Sequence, residues 1–117
     1  MLNALDLSGW DTSNALVMNN MFRELVVAGL DLSGWDTSAV TSMNYMFADI
    51  RLGNGSGSLV VAHFDTSNVT NMTNMFNNAR AAEISIGDWD TSKVTNMGSM
   101  FRNFYTTNDL YLSSFSF

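Results

Sequence analysis

Residues 9–13 read Gly-Trp-Asp-Thr-Ser, which sets the carboxylate of Asp11 beside the hydroxyls of Thr12 and Ser13. A carboxylate next to hydroxyl groups is material for general acid–base work, and the trio is close in spirit to the Asp-Thr-Gly of aspartic proteases. The stretch then returns, as GWDTS at 34–38, HFDTS at 63–67 and DWDTS at 88–92. A catalytic apparatus is built once per domain, so this fourfold recurrence of Asp11, Asp36, Asp65 and Asp90 reads as scaffold. His63 is the only histidine, and no nucleophile–base pairing stands out from the repeat. The absence of cysteine removes thiol catalysis, disulfides and thiolate metal sites together. Nothing resembles a dedicated loop of oxygen ligands for calcium. The expectation is therefore a chain that is not an enzyme, with no metal and no cofactor.

The composition agrees with a folded, non-catalytic domain. A length of 117 residues suits one domain with a modest core, and a hydrophobic fraction of 46% argues against disorder. The net charge is −6, and the basic residues Arg23, Arg51, Arg80, Lys93 and Arg102 are spread nearly one per repeat. Spread in this way they form no patch in the sequence, which makes nucleic acid a poor partner. No apolar run approaches the roughly 20 residues that span a bilayer, so membrane insertion is not expected. The first residues show no basic segment followed by an apolar one, as a signal peptide would.

What must position the Asp-Thr-Ser trio is a repeat. Units begin at Leu5, Leu30, Leu59, Ile84 and Leu110, giving coils 5–29, 30–58, 59–83, 84–109 and a partial coil 110–117 within one domain, 1–117. Self-similarity at this period marks a solenoid, whose coils bury their faces by stacking on one another. Propeller blades need about 40–45 residues, so the Trp-Asp dipeptide does not indicate one. Each unit opens with alternation, as in Leu5-Asp6-Leu7 and Ile84-Ser85-Ile86, which predicts a short strand in a parallel sheet. The second half changes period. Val40, Met43, Met46 and Phe47 recur as Val69, Met72, Met75 and Phe76, a spacing that predicts the apolar face of a short helix. Leu25, Ile50, Ala79 and Phe104 form a further apolar column that closes the core on the way to the next strand. Eight of the nine methionines lie in this M-x-x-M-F motif, where helical spacing favours core over a methionine-rich binding groove.

The predicted fold is thus α/β: a leucine-rich-repeat-like solenoid with one short parallel strand and one short helix per coil. In that fold Asp11, Asp36, Asp65 and Asp90 cap helix N-termini, with Thr12, Thr37, Thr66 and Thr91 beside them. The aromatic column Trp10, Trp35, Phe64, Trp89 and Phe115 is expected at a core corner, the alternative being an exposed stacking platform.

The stretches LDLSGWDTSNALVMNNMF and FDTSNVTNMTNMF resemble the repeats of BspA-like, leucine-rich-repeat-type bacterial surface proteins, a domain-of-unknown-function family common in mycoplasmal lipoproteins. The resemblance runs over essentially the whole chain through the signature W-D-T-S-x-V-T-x-M-x-x-M-F. It implies an extracellular or cell-surface location and adhesion to other proteins. Two features depart from the pattern: Ala15-Leu16-Val17 in the first repeat, and an insertion of four residues around Gly53–Ser58 in the second.

The resulting expectation is a non-enzymatic module for protein–protein adhesion. Its binding face would be the outward strand positions, which vary while the framework does not: Asp6, Asp31, Val60, Ser85 and Tyr111, with His63 and Asp88 in a second column. The alternative is a structural subunit that stacks head to tail into a filament through Leu5, Leu7, Leu110 and Leu112. Its partners would then be another protein or a second copy. A carbohydrate partner has no support in the residues.

Overall fold

Alternation at the start of each unit does produce strands. The structure, a computed structural model, describes residues 3–53, 57–87 and 89–106, and the backbone of 110–111. Four short strands repeat the first position: β1 (Leu5–Asp6), β3 (Leu30–Asp31), β5 (Ser58–Val60) and β7 (Glu83–Ser85), followed by β9 (Leu110–Tyr111). Leu30, Leu59 and Ile84 are buried on them, while Asp6, Asp31 and Val60 face solvent. A second set arises late in each unit: β2 (Val26–Val27), β4 (Arg51–Leu52), β6 (Arg80–Ala81) and β8 (Tyr105–Thr106). Every pairing is parallel, in a sheet β1-β3, a sheet β5-β7-β9 and a continuous sheet β2-β4-β6-β8. A third seam runs through the parallel bridges Val17–Ser42, Ser42–Asn71 and Asn71–Asn96. Successive repeats are thus hydrogen-bonded to each other along three lines, except that β3 and β5 belong to different sheets.

The predicted helix is absent. Among the described residues there is no α-helix, so the α/β, leucine-rich-repeat-like solenoid with one helix per coil is corrected to a nearly all-sheet fold of short parallel strands. The M-x-x-M-F segment shows why. The N–H groups of Met43, Tyr45, Phe47 and Asp49 donate to the carbonyls of Asn71, Thr73, Met75 and Asn77 in the next repeat. The alternate N–H groups of Met46, Ala48 and Ile50 close turns on Met43, Tyr45 and Phe47, three residues back. A helix would send each of these N–H groups four residues back along its own segment. Two residues per repeat also sit at left-handed φ, Tyr45 at 57° and Asp49 at 58°, matched by Asn74 at 56° and Asn78 at 59°. Left-handed residues at that frequency terminate any helix. Consecutive turns of this kind place every third or fourth side chain inward, which is the spacing that imitates a helix.

The core consists of columns, one residue per repeat. Met43, Met46, Phe47, Met72, Met75 and Phe76 are fully buried, so these methionines are core and not groove. Phe22, Phe47, Phe76 and Phe101 stack with centroids 5.7, 5.4 and 5.6 Å apart. Each such pair contributes about 0.5–1.5 kcal/mol beyond the area it buries. The aromatic corner is core as well, with Trp35, Phe64 and Trp89 at 4%, 4% and 3% exposure, although Trp10 at the first repeat stands 55% exposed.

Candidate functional site

The Asp-Thr-Ser corner comes first, because its chemistry is settled by its own neighbours. Asp11 Oδ1 accepts from the Ser13 N–H at 3.0 Å and from the Ser13 hydroxyl at 2.6 Å. Asp65 treats Ser67 identically, at 3.0 and 2.6 Å. Asp36 and Asp90 each accept from the backbone two residues on, at 2.9 Å. With no helix to cap, the expected helix-capping role of Asp11, Asp36, Asp65 and Asp90 is corrected: each closes an Asx turn that bends the chain out of the strand. The serine hydroxyl and then the serine N–H hold all four carboxyls below their usual 3.8. Neighbouring aspartates oppose the effect at Asp36 and Asp65. All four carboxylates are exposed and tied to serine, and among the described residues no cluster of His, Cys, Asp or Glu could hold a metal ion.

The threonine in the trio turns inward and joins repeats. Thr12 Oγ1 donates to the Asp36 carbonyl at 3.0 Å and accepts from the Asp36 N–H at 2.9 Å. Thr37 and Thr66 donate to the carbonyls of Asp65 and Asp90, each at 3.0 Å, from positions 1% exposed. These buried hydroxyls are satisfied across the repeat boundary, which is the condition for burying them at all.

The predicted binding face is partly brought together. Asp6 and Asp31 are register neighbours on β1 and β3, and Val60 is paired with Ser85 on β5 and β7. Tyr111 lies in β9, where only its backbone is described, and Asp88 and Leu112 lie outside the described residues. Between β3 and β5 the ladder is interrupted, and the two strands belong to different sheets. A groove of about 310 Å³ opens there, lined by Leu30, Asp31, Leu32, Ser33, Val60 and His63. Three of the predicted face residues therefore share one groove.

Two local differences accompany the break. At Gly34 a Cβ would meet the Ser8 carbonyl oxygen at 2.2 Å, so the first two repeats approach closely only because that residue is glycine. His63 occupies the equivalent column at the interruption, but Asp88 continues that column where β5 and β7 pair, so a side chain there does not by itself break the ladder. The imidazole also replaces a lost donor. Trp35 Nε1 donates to the Leu7 carbonyl at 2.9 Å, and Trp89 Nε1 to the Val61 carbonyl at 2.8 Å. Phe64 has no N–H to offer the corresponding Leu32 carbonyl, and His63 Nε2 lies 2.9 Å from it instead. That distance assigns the proton to Nε2.

A second surface was missed in the sequence. The outward column of the β2-β4-β6-β8 sheet is Val26, Arg51, Arg80 and Tyr105, with Arg51 and Arg80 in direct register. Arg23 and Arg102 sit in the turns that lead into this sheet, and the Arg23 guanidinium lies 4.5 Å from the Tyr45 ring centre. The expectation that the basic residues form no patch fails for this face. Its signal was available: Arg51 and Arg80 stand one second-repeat length apart, so being spread one per repeat is what stacks them. A groove of about 510 Å³ adjoins Arg80, lined also by Asn78, Asn103, Phe104 and Tyr105.

These features define a parallel-sheet repeat protein with a constant stacked core and two outward faces of different chemistry. More than half of the chain, residues 52–115, matches the family described as Mycoplasma protein of unknown function, DUF285, and the chain belongs to that family. No curated protein and no solved structure matches the chain. No helix among the described residues is long and apolar enough to cross a membrane.

Proposed function

We propose that the chain is a non-enzymatic, extracellular or cell-surface repeat module that mediates protein–protein adhesion. The observation that carries this reading is the contrast between inward and outward positions. The core columns repeat almost unchanged, whereas the outward strand positions change from Asp6 and Asp31 to Val60, which is 56% exposed at the rim of the groove beside His63. A fixed frame with a varied face is how repeat proteins present an extended binding surface. The aspartates offer no competing catalytic reading, because each is already held by the residue two positions on. The likeness of the repeat signature to BspA-like surface proteins supports the location and the adhesive role.

Beads coated with the chain test this. Adhesion to cells should saturate, be competed by free chain, and vanish when surface protein is stripped by protease. Adhesion no greater than that of an inert protein coat would defeat it, and loss only after glycans are stripped would make the partner a carbohydrate.

Head-to-tail stacking is a second reading, favoured by one observation. Trp10, Leu16, Val17 and Met21 are 55%, 61%, 58% and 42% exposed in the first repeat, whereas Trp35 and Met46 in the second are buried under a neighbour. The open apolar slice has the shape that another repeat covers. Leu16→Lys with Val17→Lys should abolish any concentration-dependent association in sedimentation, and association that survives them would exclude this slice as its cause.

A further inference from the structure

The β2-β4-β6-β8 sheet holds two arginines in an arrangement that the fold itself does not use. Arg51 and Arg80 are exposed register neighbours on adjacent strands, separated by one ladder step of about 4.8 Å. Like charges directly opposite in a sheet are destabilising. Neither guanidinium forms an ion pair with a described residue. The acid in the adjoining column, Asp49, accepts instead from the Asn78 amide at 2.7 Å. Two exposed cations in register repel each other modestly, and an anionic group bound across both would relieve that repulsion.

The surroundings specify what that is. A guanidinium presents a planar fork of donors matched to a carboxylate. Beside Arg80 the groove of about 510 Å³ offers the amides of Asn78 and Asn103 and the rings of Phe104 and Tyr105. Tyr105 is 56% exposed and Val26, at the other end of the column, 42%. Arginine and tyrosine are the side chains that most often dominate protein interfaces. In an extended segment, alternate residues stand roughly 7 Å apart on one face, within reach of two flexible arginine side chains at ladder spacing.

We infer that this sheet face docks an acidic segment of a protein partner, with paired carboxylates on Arg51 and Arg80 and an aromatic or apolar residue in the groove beside Tyr105. The inference rests on the adhesion-module reading and places the contact on a different set of strands from the Asp31–His63 groove.

The test uses the full chain, isotope-labelled, titrated with the peptide Glu-Ser-Glu-Ser-Tyr, which carries both carboxylates and the ring on one face when extended, and its glutamine counterpart. Amide shifts should concentrate at residues 51–52, 80–81 and 105–106, and added salt should weaken binding. The glutamate peptide should bind at least about tenfold more tightly than the glutamine one, and Arg51→Gln with Arg80→Gln should remove that difference. The same double variant should melt at the wild-type temperature or above it, because a repulsion is relieved. Equal binding of both peptides, shifts centred on Asp31 and His63, or a lowered melting temperature in the double variant would overturn the inference. Wild-type cells-to-bead adhesion retained by the double variant would also overturn it while leaving the adhesion module standing; failure of the wild-type beads to adhere would instead strike the module reading itself.

Discussion

Glu24 tests the left-handed turns directly. Its φ is 64°, it is exposed, and its column continues as Asp49, Asn78 and Asn103, all at left-handed φ. Its N–H donates to the Ala48 carbonyl at 2.9 Å, a bond that any residue but proline retains. For an L residue other than Asn, Asp or Gly, the left-handed conformation costs about 1–2 kcal/mol, whereas Asn tolerates it through local hydrogen bonding. Glu24→Asn should therefore stabilise by about 0.5–1 kcal/mol, which in a domain of this size raises Tm by about 2–5 °C. Glu24→Val should destabilise by about 1 kcal/mol or more, since a branched Cβ is least compatible with positive φ. Thermal and urea unfolding of the two variants decide it. A loss of stability in Glu24→Asn refutes the left-handed turn that follows the M-x-x-M-F segment.

Three further outcomes follow from the packing and the polar network. Met72→Ala should cost about 2–5 kcal/mol by urea unfolding, because Met72 is fully buried and its removal leaves a cavity between repeats; native-state oxidation of Met72 should be slow. Restoring the Gly-Trp pair to the third repeat, with His63→Gly and Phe64→Trp, should let β3 and β5 pair, close the groove and raise Tm, while a lowered Tm would show that another feature keeps the strands apart. Carboxyls lowered below 3.8 contribute stability that is complete above that value and lost as pH falls through their folded values, so Tm should hold from pH 5 to 8 and decline below about pH 4, less steeply in Asp65→Asn.

Much of this fold can be read from the chain alone, for reasons that also mark where such reading stops. Alternation at Leu5-Asp6-Leu7 has only one meaning, since period two puts successive side chains on opposite faces of a strand. The spacing of Val40, Met43, Met46 and Phe47 has two, because turns closed three residues back mimic a helical stripe. Composition held the deciding information: Asn20, Asn74, Asn78 and Asn103 occupy left-handed positions that asparagine tolerates and a helix does not require. The acidic corner was legible as scaffold from its recurrence, but what Asp11 holds depended on whether a helix follows it. The Arg51–Arg80 pair stayed hidden because charge was judged along the sequence, whereas in stacked repeats the neighbours of a residue lie one repeat away. The groove at His63 stayed hidden because it lies between two coils, where the column residue changes from glycine to histidine and the corner residue from tryptophan to phenylalanine.

In the proposed reading, the outward positions carry the function and the inward columns carry the fold. One measurement separates them: bead adhesion of a chain in which Asp31, Val60 and His63, on the groove rim, and Arg51, Arg80 and Tyr105, on the β2-β4-β6-β8 sheet, are all changed to Ser, measured beside its Tm. The account predicts a cooperative melt within a few degrees of wild type and adhesion reduced to the level of an inert coat. Undiminished adhesion by that variant, folded and with both outward faces erased, would contradict it.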